Sequence, residues 1–600
     1  MESVNSLPIR LPACANRTMT RRTLLNALFA SPLCLRGQMA SRGVTAAPRG
    51  KSSGLPFNAR FTDVAAQAGL TAPVIYGGVD HNAYIVEAIG CGTAFFDYDN
   101  DGWLDILLPG GTRWEGAPPG AGNRLYKNNR DGTFTDVTEE SGLARTGWFC
   151  GVTIGDYNND GFEDIFLSGW EQSCLYRNNG DGTFTDVTKA AGLTGERARW
   201  GTGCTFVDFD RDGNLDLFIS HYLKFDPRKI PAADKQSDCN FKGVPINCGP
   251  RGLPLETHSL YKNNGNGTFT DISAASGIAR AAGSYGLTAV AADFDDDGWP
   301  EIYVACDSTP SLFFHYNGDG AFEEIGLEKG VALSDDGREQ GGMGVGVGDF
   351  NLDGTLDILK THFTEDTAAL YSNHGKAGFE DVTVRAGLGV ESRYVSWGAG
   401  IVDLDNNGYP DIFWVTGSVY PEVEKKLPQF PHRTPRVLFR NLGNGKFEEL
   451  LTEGGPGVTA AHSSRGCAFG DFDNDGDLDI LIVNLNEPPS LLRNDVKGDQ
   501  HWIKVQLAGV KSNRSAIGAR VVVRYDGKRQ AQEVLGQSSF LSVNDRRLHF
   551  GLGAASAVDI DVRWPSGIRQ AFKAVPANRL FQIDEVKGIV GQASWPVHPG

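Results

Sequence analysis

The sequence predicts an all-β protein, a seven-bladed β-propeller followed by a small C-terminal β domain. Three observations predict it. An acidic nonapeptide, DYDNDGWLD at 97–105, is written seven times along 600 residues. Its first Asp recurs after 59, 52, 85, 56, 54 and 68 residues, a period suited to propeller blades or a stacked array. A hairpin motif follows each of the first six copies, and the strand missing after the seventh stands at the other end of the chain.

In chain order, residues 1–45 read as an export leader. Arg21 and Arg22 precede a short apolar stretch and then small residues near Ala40, and the paired arginines leave a twin-arginine or a general route open. No later stretch has 18 uninterrupted apolar residues, so no transmembrane segment is expected. The formal charge of −18 argues against a nucleic-acid partner. It suits instead a secreted, periplasmic or cell-surface protein that binds about seven Ca²⁺, which would offset most of that charge.

The nonapeptides supply the reason. Positions 1, 3, 5 and 9 offer side-chain oxygens, and the Gly at 6 lets the loop reverse with positive φ. The predicted metal ligands are Asp97, Asp99, Asp101 and Asp105; Asp156, Asn158, Asp160 and Asp164; Asp208, Asp210, Asp212 and Asp216; and Asp293, Asp295, Asp297 and Glu301. The remaining loops give Asp349, Asn351, Asp353 and Asp357; Asp403, Asp405, Asn407 and Asp411; and Asp471, Asp473, Asp475 and Asp479. An EF-hand shares the opening of this pattern but needs a Glu at position 12 and flanking helices. Here the flanks are short apolar, β-branched runs that read as strands, so each loop joins the two inner strands of a blade.

The outer pair is the LY…N-G…FTDVT motif, as in LYKNNRDGTFTDVTEESGL at 125–143. After the last loop SLLRN at 490–494 has no FTDVT successor, whereas FTDVAAQAGL stands at 61–70. The N-terminal strand is therefore expected to complete the last blade and close the ring, which removes free sheet edges.

These repeats, over about 58–495, resemble the FG-GAP/VCBS repeats of integrin-type propellers, whose DxDxDGxxD loops bind calcium. The run from 499 to 586 is β-rich, and NRSAIGARV, GQSSFLSVNDRRLHFGLG and VRWPSG within it resemble the ASPIC/UnbV domain. The chain as a whole is similar to the cartilage acidic protein family, and 587–600 reads as a tail. That resemblance implies secretion and adhesion-like binding of an extracellular protein or glycan.

It also puts the ligand face opposite the calcium loops. Trp148, Trp200, Tyr285, Trp397 and Arg465 before the inner strands, and Trp170, His221, Asp307 and His362 after them, are expected to face it, with His462 nearby. Two insertions, 221–258 and 418–436, should rise over the same face. The first holds Cys239 and Cys248, which read as a local disulfide. Cys91, Cys150, Cys204 and Cys467 read as buried strand residues. The competing reading is a hydrolase, lyase or oxidoreductase using His221, Asp307 and His362, although no nucleophile elbow or zinc triad supports catalysis.

Overall fold

The structure, a computed structural model, describes residues 41–195, 199–233 and 239–593, so most of the predicted leader lies outside the described residues. Seven four-stranded antiparallel sheets each carry one acidic loop and are numbered in the chain order of those loops, so that sheet 4, with the 293–301 loop, comprises Gly286–Ala292, Glu301–Cys306, Leu312–Tyr316 and Phe322–Glu324. Sheet 2 shows the pattern: Trp148–Gly155, Asp164–Trp170, Cys174–Asn178 and Phe184–Asp186, from inside to outside. Innermost strands touch their neighbours in cyclic order from sheet 1 through sheet 7 and back to sheet 1.

Sheet 7 takes its outer strand from the N-terminus. Phe61–Asp63 pairs antiparallel with Ser490–Asn494, Phe61 opposite Asn494. A break in sequence thus becomes a continuous sheet, and no sheet of the ring is left a strand short.

Two further sheets form the C-terminal domain. One orders Leu548–Gly553, His501–Ala508, Arg579–Asp584 and Gly588–Ala593, with the middle two parallel; the other orders Lys528–Glu533, Arg520–Tyr525, Ala557–Arg563 and Arg569–Pro576. The domain thus runs past the expected end at 586, because Gly588–Ala593 pairs with Arg579–Asp584. That last strand is glycine-containing and largely exposed, so it lacks the alternation by which a strand is recognised.

The domain sits on the acidic-loop rim and sends the segment 536–545 into the channel of the ring. Phe540 and Leu541 at its tip are fully buried. Its polar atoms meet the inward-facing backbone of six sheets. Phe95 N–H donates to the Val543 carbonyl at 3.1 Å, Val152 N–H to that of Leu541 at 3.1 Å, and Cys204 N–H to Gln537 Oε1 at 3.1 Å. On the other side Ser539 pairs with Val345, Ala399 N–H donates to Ser539 Oγ at 3.1 Å, and Phe469 N–H to Asn544 Oδ1 at 3.1 Å. Innermost strands have no inner neighbour to pair with, and this segment satisfies donors that burial would otherwise leave open.

Candidate functional site

Each loop is built by its own carboxylates. The position-1 side chain accepts the Gly N–H in all seven, at 2.7–3.2 Å, which ties the turn to the end of the inner strand. The position-9 carboxylate accepts the N–H of position 2 at 2.9–3.3 Å. Position 6 has positive φ, as expected for Gly, but so has position 4: Asn100, Asn159, Arg211, Asp296, Leu352, Asn406 and Asn474 lie at φ 56–61°. Asn is the side chain best suited to that region after Gly, which accounts for its recurrence there.

The loops fit a divalent cation. Asp97, Asp99 and Asp101 converge, as do Asp208, Asp210 and Asp216; Asp293, Asp295 and Glu301; and Asp403, Asp405 and Asp411, each set offering oxygens within 4.8 Å of one another. Oδ1 of the position-3 residue is buried without a hydrogen-bond partner in Asp99, Asp210, Asp295, Asp405 and Asp473. A cation is the partner such an oxygen calls for. Where position 3 is Asn, its Nδ2 donates to the position-5 Asp instead: Asn158 to Asp160 at 2.8 Å and Asn351 to Asp353 at 2.9 Å. Burial, reinforced by neighbouring carboxylates, pushes Asp105 up to about 8 and Asp164 up to about 9, and Asp357 and Asp479 well above the usual carboxylate range. A bound cation would supply the charge that these groups lack.

One residue type important to the ring went unread in sequence. The Asn ending the third strand of six sheets, seen there only as turn chemistry, links neighbouring sheets. Asn263 Nδ2 donates to the Leu215 carbonyl of its own loop at 3.0 Å and to the Tyr157 carbonyl of the preceding loop at 2.8 Å. Asn178, Asn373, Asn441 and Asn494 repeat this, and Asn128 reaches Phe472 at 2.9 Å across the ring closure. Sheet 4 has Tyr316 in this position, packed 5.5 Å from the Phe209 ring.

The C-terminal domain grips the same rim. Lys504 pairs with Asp471, both side chains fully buried, and Arg563 pairs with Asp293. Ala531 N–H donates to Asp349 Oδ2 at 3.0 Å, Asp156 N–H to Ser515 Oγ at 2.8 Å, and Arg547 to Asn474 Oδ1 at 2.7 Å.

With this geometry in place, the comparisons are decisive for family. Residues 97–167, 156–219, 256–304, 293–359 and 433–482 match the FG-GAP-like repeat, and 509–590 match ASPIC and UnbV. The chain is an FG-GAP-repeat protein with an ASPIC/UnbV domain. Human cartilage acidic protein 1 is 26% identical over 82% of this chain and 71% of its own length. Among solved structures, an Agrocybe aegerita lectin that recognises non-reducing terminal N-acetylglucosamine is similar at TM-score 0.36 and 17% identity, covering 60% of this chain and 82% of the lectin. Trypanosoma rangeli sialidase with the inhibitor DANA is similar at TM-score 0.34 and 11% identity, covering 73% of this chain and 60% of the sialidase.

The face of the FG-GAP ring opposite the loops differs from the open aromatic funnel expected. Trp148, Trp200, Tyr285, Trp397, His221, Asp307, His362 and Arg465 are all buried. They lie beneath residues 74–89 and the two insertions, whose Tyr222, Phe241, Tyr420 and Val423 join the same core. Arg465 donates to the Ala88 carbonyl at 2.9 Å and stacks 4.1 Å from the Trp397 ring, itself 4.9 Å from Phe540. Asp307 accepts from Tyr222 Oη at 2.6 Å, and His221 Nε2 lies 3.1 Å from Ser259 Oγ. Burial pushes His362 well below its usual range. His462 lies 2.6 Å from Glu487. Insertions long enough to recognise a partner were long enough to cover the face. Cys239 and Cys248 are bonded, Cα–Cα 5.3 Å, and Cys91, Cys150, Cys204 and Cys467 are buried.

Of the expected Trp and Tyr residues only Trp170 stays half-exposed, and it belongs to a cluster that sequence did not reveal. Trp170 lies 5.0 Å from Phe225 and 5.9 Å from Trp114, and Tyr84 lies 4.7 Å from Trp114 and 5.7 Å from Phe225. All four rings are half-exposed. They come from the N-terminal segment, sheet 1, sheet 2 and the first insertion, so no local spacing joins them.

Proposed function

We propose that this protein is a secreted, calcium-stabilised propeller that binds an extracellular protein or glycan through the face opposite its FG-GAP loops, as an adhesion module. The half-exposed cluster of Tyr84, Trp114, Trp170 and Phe225 carries this reading. Aromatic rings locked by tilted and edge-to-face contacts, such as Trp170 at 79° to Phe225, present a rigid apolar surface at little entropic cost, the kind on which sugar rings and partner side chains pack. Calcium is supported by the buried, unpartnered position-3 oxygens and the oxygen-only chemistry of most loops. The Cys239–Cys248 bond suits an oxidising compartment.

Binding is favoured over turnover because His221, Asp307 and His362 are buried away from solvent. A glycan array and a pull-down from extracellular extract, run beside a Trp114→Ala, Trp170→Ala variant, test the proposal. Specific retention that the variant loses is the expected result. Retention unchanged in the variant would move the site elsewhere.

A further inference from the structure

Sheet 4 departs from its siblings at two places that meet in one loop. Its position-9 ligand is Glu301 where the other loops have Asp. The residue beside the loop on its third strand is His315, where the corresponding residues are Lys127, Arg177, Lys262, Ser372, Arg440 and Arg493. Its position-1 Asp293 is engaged by Arg563 of the C-terminal domain, as Asp471 of sheet 7 is by Lys504, so this contact does not set the loop apart.

These differences belong together. Elsewhere the position-9 Asp accepts the backbone N–H of the third-strand Asn at 2.8 Å, as Asp105 does from Asn128. Glu301, one methylene longer, instead sets Oε1 2.9 Å from His315 Nδ1, and its own side chain is fully buried. In sheets 1 and 3 a lysine pairs with the loop acids, Lys127 with Asp99 and Lys262 with Asp210. A lysine can only neutralise carboxylates, whereas a neutral imidazole can join them as a ligand. A ring nitrogen of His315 lies within 4.8 Å of carboxylate oxygens of both Asp295 and Asp297. Asp295, its side chain 8% exposed, keeps Oδ1 without a hydrogen-bond partner.

We infer that the sheet 4 loop is a mixed nitrogen–oxygen site for a first-row divalent transition ion, held by Asp295, Asp297 and His315, rather than a further oxygen-only calcium site. Calcium takes oxygen ligands almost exclusively, whereas imidazole with carboxylates suits ions of the manganese-to-zinc series. Glu301 is then the positioning residue: a carboxylate on one ring nitrogen fixes the tautomer and leaves the other with its lone pair for the metal.

The inference rests on reading the loops as cation sites, and the test separates the two. Metal-stripped protein is loaded with Mn²⁺, then washed in about 1 mM Ca²⁺, the range of extracellular calcium sites. Bound Mn²⁺ is counted by electron paramagnetic resonance, and pulsed measurements look for ¹⁴N modulation from a coordinated imidazole. One retained Mn²⁺ with that modulation is expected. His315→Lys, the residue of sheets 1 and 3, and His315→Gln should each weaken it at least about tenfold, with Glu301→Gln weakening it less. Mn²⁺ wholly displaced by Ca²⁺, retained without ¹⁴N modulation, or retained equally by the His315 variants would overturn the inference. The rise in melting temperature on adding Ca²⁺ to His315→Lys reports on the other loops. If that rise persists while Mn²⁺ retention is absent in the wild type, only the sheet 4 assignment fails.

Discussion

The Asn that closes the third strand of six sheets does at residue scale what the loop acids cannot do for an ion-free ring: it joins one sheet to the next. Asn263 spends both amide hydrogens on buried carbonyls of two different loops and accepts Gly265 N–H at 2.9 Å. Asn263→Ala strands those carbonyls. Each buried group left open costs about 1–3 kcal/mol, so a loss of about 2–4 kcal/mol in urea unfolding is expected, without change in the sheets' circular dichroism. A loss below about 1 kcal/mol would mean that sheet-to-sheet packing alone holds the ring. The acids were legible in sequence because their spacing is local and repeated seven times. The role of the Asn was not, although it recurs in six of the seven sheets: Asn128 reaches Phe472, and no pattern within one repeat points to a neighbour hundreds of residues away.

At the scale of elements, the loops and the C-terminal domain form one mechanical unit. The domain's contacts fall on loop residues, Asp471, Asp293, Asp349 and Asn474 among them. Loss of calcium should therefore loosen both at once. Chelation is expected to lower the melting temperature by many degrees and to make the C-terminal domain accessible to proteolysis first. A melt unchanged in EDTA would sink the claim of structural calcium. The inserted segment gives a second handle. Phe540 is fully buried against Trp397, and Phe540→Ala should cost about 3–5 kcal/mol, a value measured for large aromatic truncations in cores. If 536–545 couples the two parts, that loss appears in a single transition. Two separated transitions in the wild type would show that the segment fills the channel without joining them. The role of GQSSFLSVND was not legible in sequence because its backbone carbonyls and its Gln537, Ser539 and Asn544 side-chain oxygens match N–H groups on six different strands, an arrangement with no period.

For the whole molecule, closure was legible and the covered face was not. The FTD strand at 61–63 and the strandless SLLRN at 490–494 fit together as their repeats require. The fate of the opposite face depended on where two insertions without repeat counterparts would fold, and apolar residues such as Phe241 and Tyr420 drew them inward. The segment 536–545 enters the channel from the loop side, and Arg465, Trp397 and Ala88 pack at the other. On the proposed binding face, Tyr84, Trp114, Trp170 and Phe225 form a group of rings that stays half-exposed. Because that cluster lies on the face away from the loops, Trp114→Ala with Trp170→Ala should act on binding alone. Removing two anchoring rings should weaken retention about thirtyfold, the equivalent of about 2 kcal/mol for an interface hot spot. The calcium-dependent melt should stay as in the wild type, since the ring contacts of both side chains are with Tyr84, Phe225 and each other, on the face away from the loops. A double variant that binds normally would place recognition on another surface, and one that melts early in calcium would show the cluster to be a structural lid on sheets 1 to 3.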